Sequence, residues 1–290
     1  MATIYTHIAA NKRRSWLLVI LSLIILGAIG YFLDRYYADG GSFFLIIAGV
    51  YATITALFGY YTGDKIALSL SGAVPITKEA NPYVVRMVEN LALTAGLPAP
   101  KVYIIPDPDI NAFATGRDPK HASIAITEGA IQKLENEELE GVIAHELSHI
   151  GNYDIRYMTL VIIIIGTIIM LSDLFWRLGF AGGRSKREGT PLLAIGLVLL
   201  IVASVLAPLI KFAVSRRREY LADASGVLLT RYPEGLARAL EKIRDQGSVI
   251  ERATKSTAHL FIANPLKSGA FNLFSTHPPI AKRIEALRAM

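Results

Sequence analysis

Charged residues disappear from four stretches of the chain that are long enough, at about 20 helical residues each, to cross a bilayer. They run from Ser15 to Leu33, Gly40 to Gly63, Tyr157 to Trp176 and Gly189 to Ile210, and the third carries one charge, Asp173, near its end. The first is followed by Tyr31-Phe32-Leu33-Asp34, with no small-residue cleavage site, so it is expected to be a retained anchor and not a signal peptide.

Between the second and third stretches the pattern turns polar and globular. Asn81-Pro82 supplies a capping residue followed by proline at the first helical position, and Gly96 ends that helix. Lys101–Ile105, Ile110–Thr115 and Ala122–Thr127 alternate and are rich in β-branched residues, with Asp118-Pro119 as a turn between the last two, which predicts a small mixed or antiparallel sheet. Thr127 is expected to cap a short helix and Asn136 a longer one. After the fourth stretch, 213–230 and 234–246 read as helices parted at Tyr232-Pro233. The expected organisation is a membrane hairpin over 1–63, a first catalytic part over 64–156, a second hairpin over 157–210 and a second catalytic part over 211–290. The fold class is mainly α, with four transmembrane helices and a small β-sheet.

Composition narrows the chemistry. The chain of 290 residues is 52% hydrophobic and has no cysteine, which excludes disulfides, thiolate metal sites and a cysteine nucleophile. Any metal must be held by carboxylates and the six histidines (7, 121, 145, 149, 259 and 277). The net charge of +6 raises the question of nucleic acid, but the basic clusters Lys12-Arg13-Arg14, Lys186-Arg187 and Arg216-Arg217-Arg218 flank apolar segments. Such clusters set topology and meet anionic headgroups, so the partner is the lipid bilayer and no nucleic acid is expected.

The helix after Asn136 contains His145-Glu146-Leu147-Ser148-His149. Two histidines four apart lie on one helical face and can converge on one ion, while the glutamate between them serves as the base for the hydrolytic water. Zinc brings the pKa of a bound water from 15.7 to about 7, within reach of a carboxylate base. Catalytic zinc takes a third protein ligand, and Glu219 in Arg218-Glu219-Tyr220-Leu221-Ala222-Asp223 is the candidate. Asp223, four residues on, is placed to accept the second N–H of a ligand histidine. Spacing alone leaves a second reading open, in which Glu219 and Asp223 pair with Arg216–Arg218 on a helix surface. Topology favours the ligand: the third and fourth stretches separate His149 from Glu219, and two antiparallel spans return the chain to its starting side.

Several separated motifs resemble the HtpX family of membrane zinc metalloproteases, relatives of the CAAX prenyl protease. They are Asn111-Ala112-Phe113-Ala114-Thr115-Gly116, His145-Glu146-Leu147-Ser148-His149-Ile150, the SRRREYLAD run Ser215–Asp223, and Ser275-Thr276-His277-Pro278-Pro279. The resemblance extends from the first span to about Pro279. It implies a gluzincin-type metalloendopeptidase with one zinc ion per subunit on His145, His149 and Glu219, Glu146 as catalytic base and Asp223 in support. It also implies that Asn111, Ala112, Phe113 and Ala114 border the substrate cleft, where an edge strand can hold an extended peptide through its main chain. His277 is implied to stabilise the oxyanion; composition alone reads a histidine before Pro-Pro as a loop residue. Asn152 and Asp154 also match the family pattern and are assigned a structural role. His7, His121 and His259 are expected at the surface. The implied substrates are misfolded or damaged membrane proteins.

Orientation follows from the three basic residues before the first span, against Arg35, Asp34 and Asp39 after it, which puts the N-terminus and the metal site in the cytoplasm of a multi-pass cell-membrane protein. Arg177, Arg184, Lys186 and Arg187 oppose this, and the N-terminal bias decides. An intramembrane site-2-type protease is rejected because the motif follows Glu135, Glu137, Glu138 and Glu140 in a polar stretch. A prenyl-protein-type protease needs more membrane bulk than four spans supply. A non-catalytic membrane zinc-binding protein would have no use for Glu146.

Overall fold

The computed structural model describes residues 4–181, 192–201, 216–246, 260–262 and 278–290. Three of its helices are long and apolar enough to cross a membrane: α1 (Ile4–Tyr37), α2 (Phe43–Leu70) and α6 (Asp154–Ala181). Each outruns the apolar stretch that predicts it. Of the expected fourth span, the helix Leu192–Ile201 (α7) is described and the rest lies outside the described residues, so three membrane-length helices are present among those residues. Gly59 and Gly63 let α2 and α6 touch. A Cβ on either would sit 2.5 Å from a methyl of Ile163 or Thr159, the small-residue close approach that membrane helices use.

α2 continues past Asp64 and Lys65 to Leu70 because its last turns have a partner in a four-stranded sheet. The strands are β1 (Val74–Pro75), β2 (Lys101–Ile105), β3 (Ala112–Gly116) and β4 (Ala122–Thr127), in the order β1-β2-β4-β3. β2 and β4 run parallel, and the two outer pairs are antiparallel. β1, too short to show alternation, is missed by sequence patterning, and β3 begins at Ala112, not Ile110. Alternation splits the sheet between two partners. Phe113, Ala125 and Ile105 pack with Ala67 and Leu68 of α2 and Met158 and Ile162 of α6. Ala112, Ala114, Ile124 and Ile126 face the other way, into the core built with α3 (Pro82–Thr94) and α5 (Asn136–Gly151). The sheet thus seats α5 on the ends of the membrane helices.

The caps explain where these helices start. The Asn81 side chain accepts from the Val84 N–H, and Thr127 caps α4 (Glu128–Lys133) by accepting from Ala130. Asn136 does not cap α5. Glu135 holds that position, its N–H donating to the Glu138 carboxylate at 2.8 Å, while Asn136 is the first helical residue and accepts from the Tyr83 hydroxyl. Two glutamates three residues apart, Glu135 and Glu138, form a reciprocal cap in place of the asparagine expected to cap the helix. The C-terminal helices are α8 (Arg216–Thr230), α9 (Pro233–Gln246) and α10 (Ile280–Arg288), and α8 and α9 pack on α5.

Candidate metal centre

α5 is a buried helix, and its two histidines project from one face, one turn apart. Their Nε2 atoms lie 3.2 Å from each other. Across from them, α8 brings Glu219, whose oxygens lie 3.8 Å from His145 Nε2 and 3.7 Å from His149 Nε2. All three side chains are buried. α8 reaches this position because Gly226 meets α5 without a side chain; a Cβ there would stand 3.1 Å from the His145 amide nitrogen.

The other imidazole nitrogens decide what these atoms can do. His145 Nδ1 is 2.9 Å from Asp223, and His149 Nδ1 is 3.0 Å from Asp154. An ionised carboxylate only accepts, so each Nδ1 carries the hydrogen and each Nε2 presents a lone pair. Two imidazole lone pairs and a carboxylate oxygen therefore converge within 4.8 Å of one another. Such a set repels itself unless a cation joins it. Two nitrogens bound at ~2.05 Å to one tetrahedral zinc ion lie about 3.3 Å apart, so the donor set and spacing fit that ion.

The electrostatics agree. Burial would lower the pKa of His149, but its hydrogen bond to Asp154 and the charges of Glu219, Asp154 and Glu146 outweigh that and raise it to about 9. Burial together with the charges of Arg283 and His149 lowers His145 to about 4. One proton on the pair, held on His149, takes a cation's place between the rings. Burial also lifts Glu146 to about 7, with the Glu219 charge adding to it and a hydrogen bond from the Ala114 backbone opposing. Asp223 goes the other way: Arg283 and His145 overcome its burial and hold it at about 2.

Glu219 and Asp223 lie buried, away from the helix surface on which the second reading would pair them with Arg216–Arg218. Glu219 is buried beside both histidines, and Arg218 pairs with Asp154 at 3.3 Å. Asp154, assigned a structural role from sequence, touches a histidine of the site directly, and Asn152 accepts a hydrogen bond from Asn11 through its carbonyl. Arg283 is absent from the sequence reading altogether. It lies fully buried, with Nη2 2.6 Å from Asp223 and Nη1 3.6 Å from Glu219. The only sequence signal for it is a charged residue on the apolar stripe of α10, between Ile280, Ile284 and Leu287.

β3 lies at the sheet edge beside this centre, packed against α5. The Asn111 carbonyl accepts from Thr127, so Asn111, Phe113 and Thr115 turn their main chain to β4, while Ala112 and Ala114 turn theirs outward. The Ala112 carbonyl accepts from Ile262 N–H at 3.0 Å, and the Phe113 ring packs on Phe261. His121 is exposed, as expected. His277 and His259 lie outside the described residues, as does the side chain of His7.

Comparison with known proteins places this geometry in context. The sequence profile of Peptidase family M48 matches residues 78–290. A Protease HtpX homolog from Dictyoglomus thermophilum is 45% identical over 289 residues, covering 99% of this chain and 95% of its own length. The homolog from Caldanaerobacter subterraneus subsp. tengcongensis is also 45% identical, over 295 residues, with 99% and 98% covered. That from Streptococcus pneumoniae is 39% identical over 298 residues, with 99% and 100% covered. The crystal structure of S. mikatae Ste24p shares the fold, with a TM-score of 0.54 and 18% identity; 93% of this chain is covered, and it spans 62% of the Ste24p chain.

Proposed function

The chain belongs to peptidase family M48, among the HtpX proteases, and from that premise we propose that it is a zinc-dependent endopeptidase of the cell membrane. The observation that carries the metal is the convergence of His145 Nε2, His149 Nε2 and Glu219, with both Nδ1 atoms committed to carboxylates. One ion per subunit would be held there. When bound, zinc acidifies a water molecule and polarises the scissile carbonyl.

Glu146 accepts the proton of the attacking water and passes it to the leaving amine. In the metal-free protein burial lifts this carboxyl to about 7, and as a carboxylate beside the bound water it takes a proton and, as the acid, returns it. Asp223 and Asp154 fix the tautomers of His145 and His149. His277, which the family pattern brings near the metal, would donate to the oxyanion. An extended peptide would pair with the outward edge bordered by Asn111, Ala112, Phe113 and Ala114 by displacing Ile262 from the Ala112 carbonyl, with little demand on the peptide's side chains. That tolerance suits misfolded or damaged membrane proteins as substrates. The parts 64–156 and 211–290 then form one catalytic unit between the hairpins 1–63 and 157–210. Asn11, close to Lys12-Arg13-Arg14, contacts Asp154 at the metal-site end of α1, which supports a cytoplasmic site. Cleavage of a tag at Gly182 from the cytoplasmic face alone would contradict this orientation.

The test is casein cleavage by purified protein stripped with chelator and reloaded with zinc, beside Glu146→Gln and a prenylated peptide. Zinc-dependent casein cleavage that falls by ~10²–10⁴-fold in Glu146→Gln is expected. Equal cleavage by both would remove Glu146 as the base, and cleavage confined to the prenylated peptide would replace the proposed substrate class.

A further inference from the structure

Asp154 is held from three sides. One oxygen, Oδ2, accepts from His149 at 3.0 Å; the other, Oδ1, takes Arg218 Nη1 at 3.3 Å and Asn11 Nδ2 at 2.7 Å. Asn11 belongs to α1, 143 residues away in sequence, and is itself buried. The same amide also reaches the carbonyl of Asn152 at 3.0 Å, so its two hydrogens can bind the residue that caps the end of α5 and the first residue of α6 together.

The joint it binds is strained. Tyr153, between Asn152 and Asp154, has φ +60°, a left-handed conformation that a residue with a large side chain rarely adopts. Such a conformation persists where its surroundings over-determine it. α1 supplies those surroundings. Lys12 lies 4.2 Å above the Tyr153 ring, and Arg156, just after the joint, lies over Trp16 of α1 at 5.8 Å.

We propose that Asn11 is a positioning residue for the metal centre, through which the first membrane helix fixes Asp154 and, through Asp154, the ring of His149. The inference rests on the zinc reading of His145, His149 and Glu219. Its consequence is that the peptidase profile, which begins at residue 78, omits part of the metal-site scaffold. α1 is more than an anchor: moving or removing it would loosen a ligand histidine.

The experiment uses the full chain in detergent and measures zinc affinity by competition with a chromogenic chelator, for wild type, Asn11→Ala, Asn11→Leu, Asp154→Ala and the Asn11→Ala/Asp154→Ala double variant. Asn11→Leu keeps the bulk and removes both donors, so it carries the test if the alanine variant fails to fold. Loss of a group that orients a ligand histidine weakens zinc by about 10–100-fold, and that is expected of Asn11→Ala, Asn11→Leu and Asp154→Ala. In the Asp154→Ala background the Asn11 substitution should change affinity by less than about twofold, because both act through one carboxylate. Wild-type affinity in both Asn11 variants, or an undiminished Asn11 effect without Asp154, overturns the inference and leaves the zinc reading standing. Absence of zinc binding by the wild type overturns both.

Discussion

Arg283 and Asp223 form a buried two-pronged ion pair, Nε to Oδ2 at 2.9 Å and Nη2 to Oδ1 at 2.6 Å, that ties α10 to α8 directly behind His145. The arginine also donates to the Ile262 carbonyl, which places it under the segment lying along the β3 edge. Its charge lets Asp223 stay ionised in a buried site, and Asp223 in turn orients His145.

Removing one partner of such a pair leaves the other charge stranded. Arg283→Ala should cost about 3–5 kcal/mol, seen as a lower unfolding midpoint in detergent. Replacing both residues, Arg283→Leu with Asp223→Leu, should recover most of that stability but not zinc affinity, because His145 has lost its acceptor. Recovery of both by the double variant would show that the pair supports packing alone.

The close approach at Gly226 sets where Glu219 sits. A side chain at this position meets the backbone of His145. Gly226→Leu should push α8 away from α5 and weaken zinc at least tenfold, measured by chelator competition, with the helical circular dichroism retained. Unchanged affinity would mean that Glu219 reaches the site without tight helix packing.

Zinc uptake should depend on pH through His149. Its pKa in the metal-free protein is raised from about 6.5 to about 9, so at pH 7 the ring is protonated and zinc must displace that proton. Apparent affinity should rise about tenfold per pH unit between 7 and 9 and level off above. Calorimetry in buffers of different ionisation enthalpy should register the released proton. The reverse sign, tighter binding as pH falls, would contradict the assignment of the proton to His149.

Much of this was legible in the chain because local rules decided it. The spacing of His145 and His149 and the strands Lys101–Ile105 and Ala122–Thr127 are patterns that tertiary contacts reinforced. Asn81 and Thr127 act as caps, as their residue types demand. What escaped depended on contacts far apart in sequence. α2 runs to Leu70 because the sheet waits for it, and no hydropathy window registers a partner. Arg283 lies on the apolar stripe of an otherwise charged helix and Asn11 in the polar first turns of α1, and only the fold shows that each meets an acid of the metal site. Asp154 lies five residues past His149, close enough to suggest contact, but the turn that aims it requires Tyr153 in a conformation its identity argues against.

The central claim, that α8 completes a zinc site begun on α5, is tested most directly at Glu219. Zinc content per chain, measured by atomic absorption after dialysis against a weak chelator, should be close to one for the wild type and for Glu146→Gln, and near zero for Glu219→Ala. A full complement of zinc in Glu219→Ala would contradict the three-ligand site and require another residue to complete it.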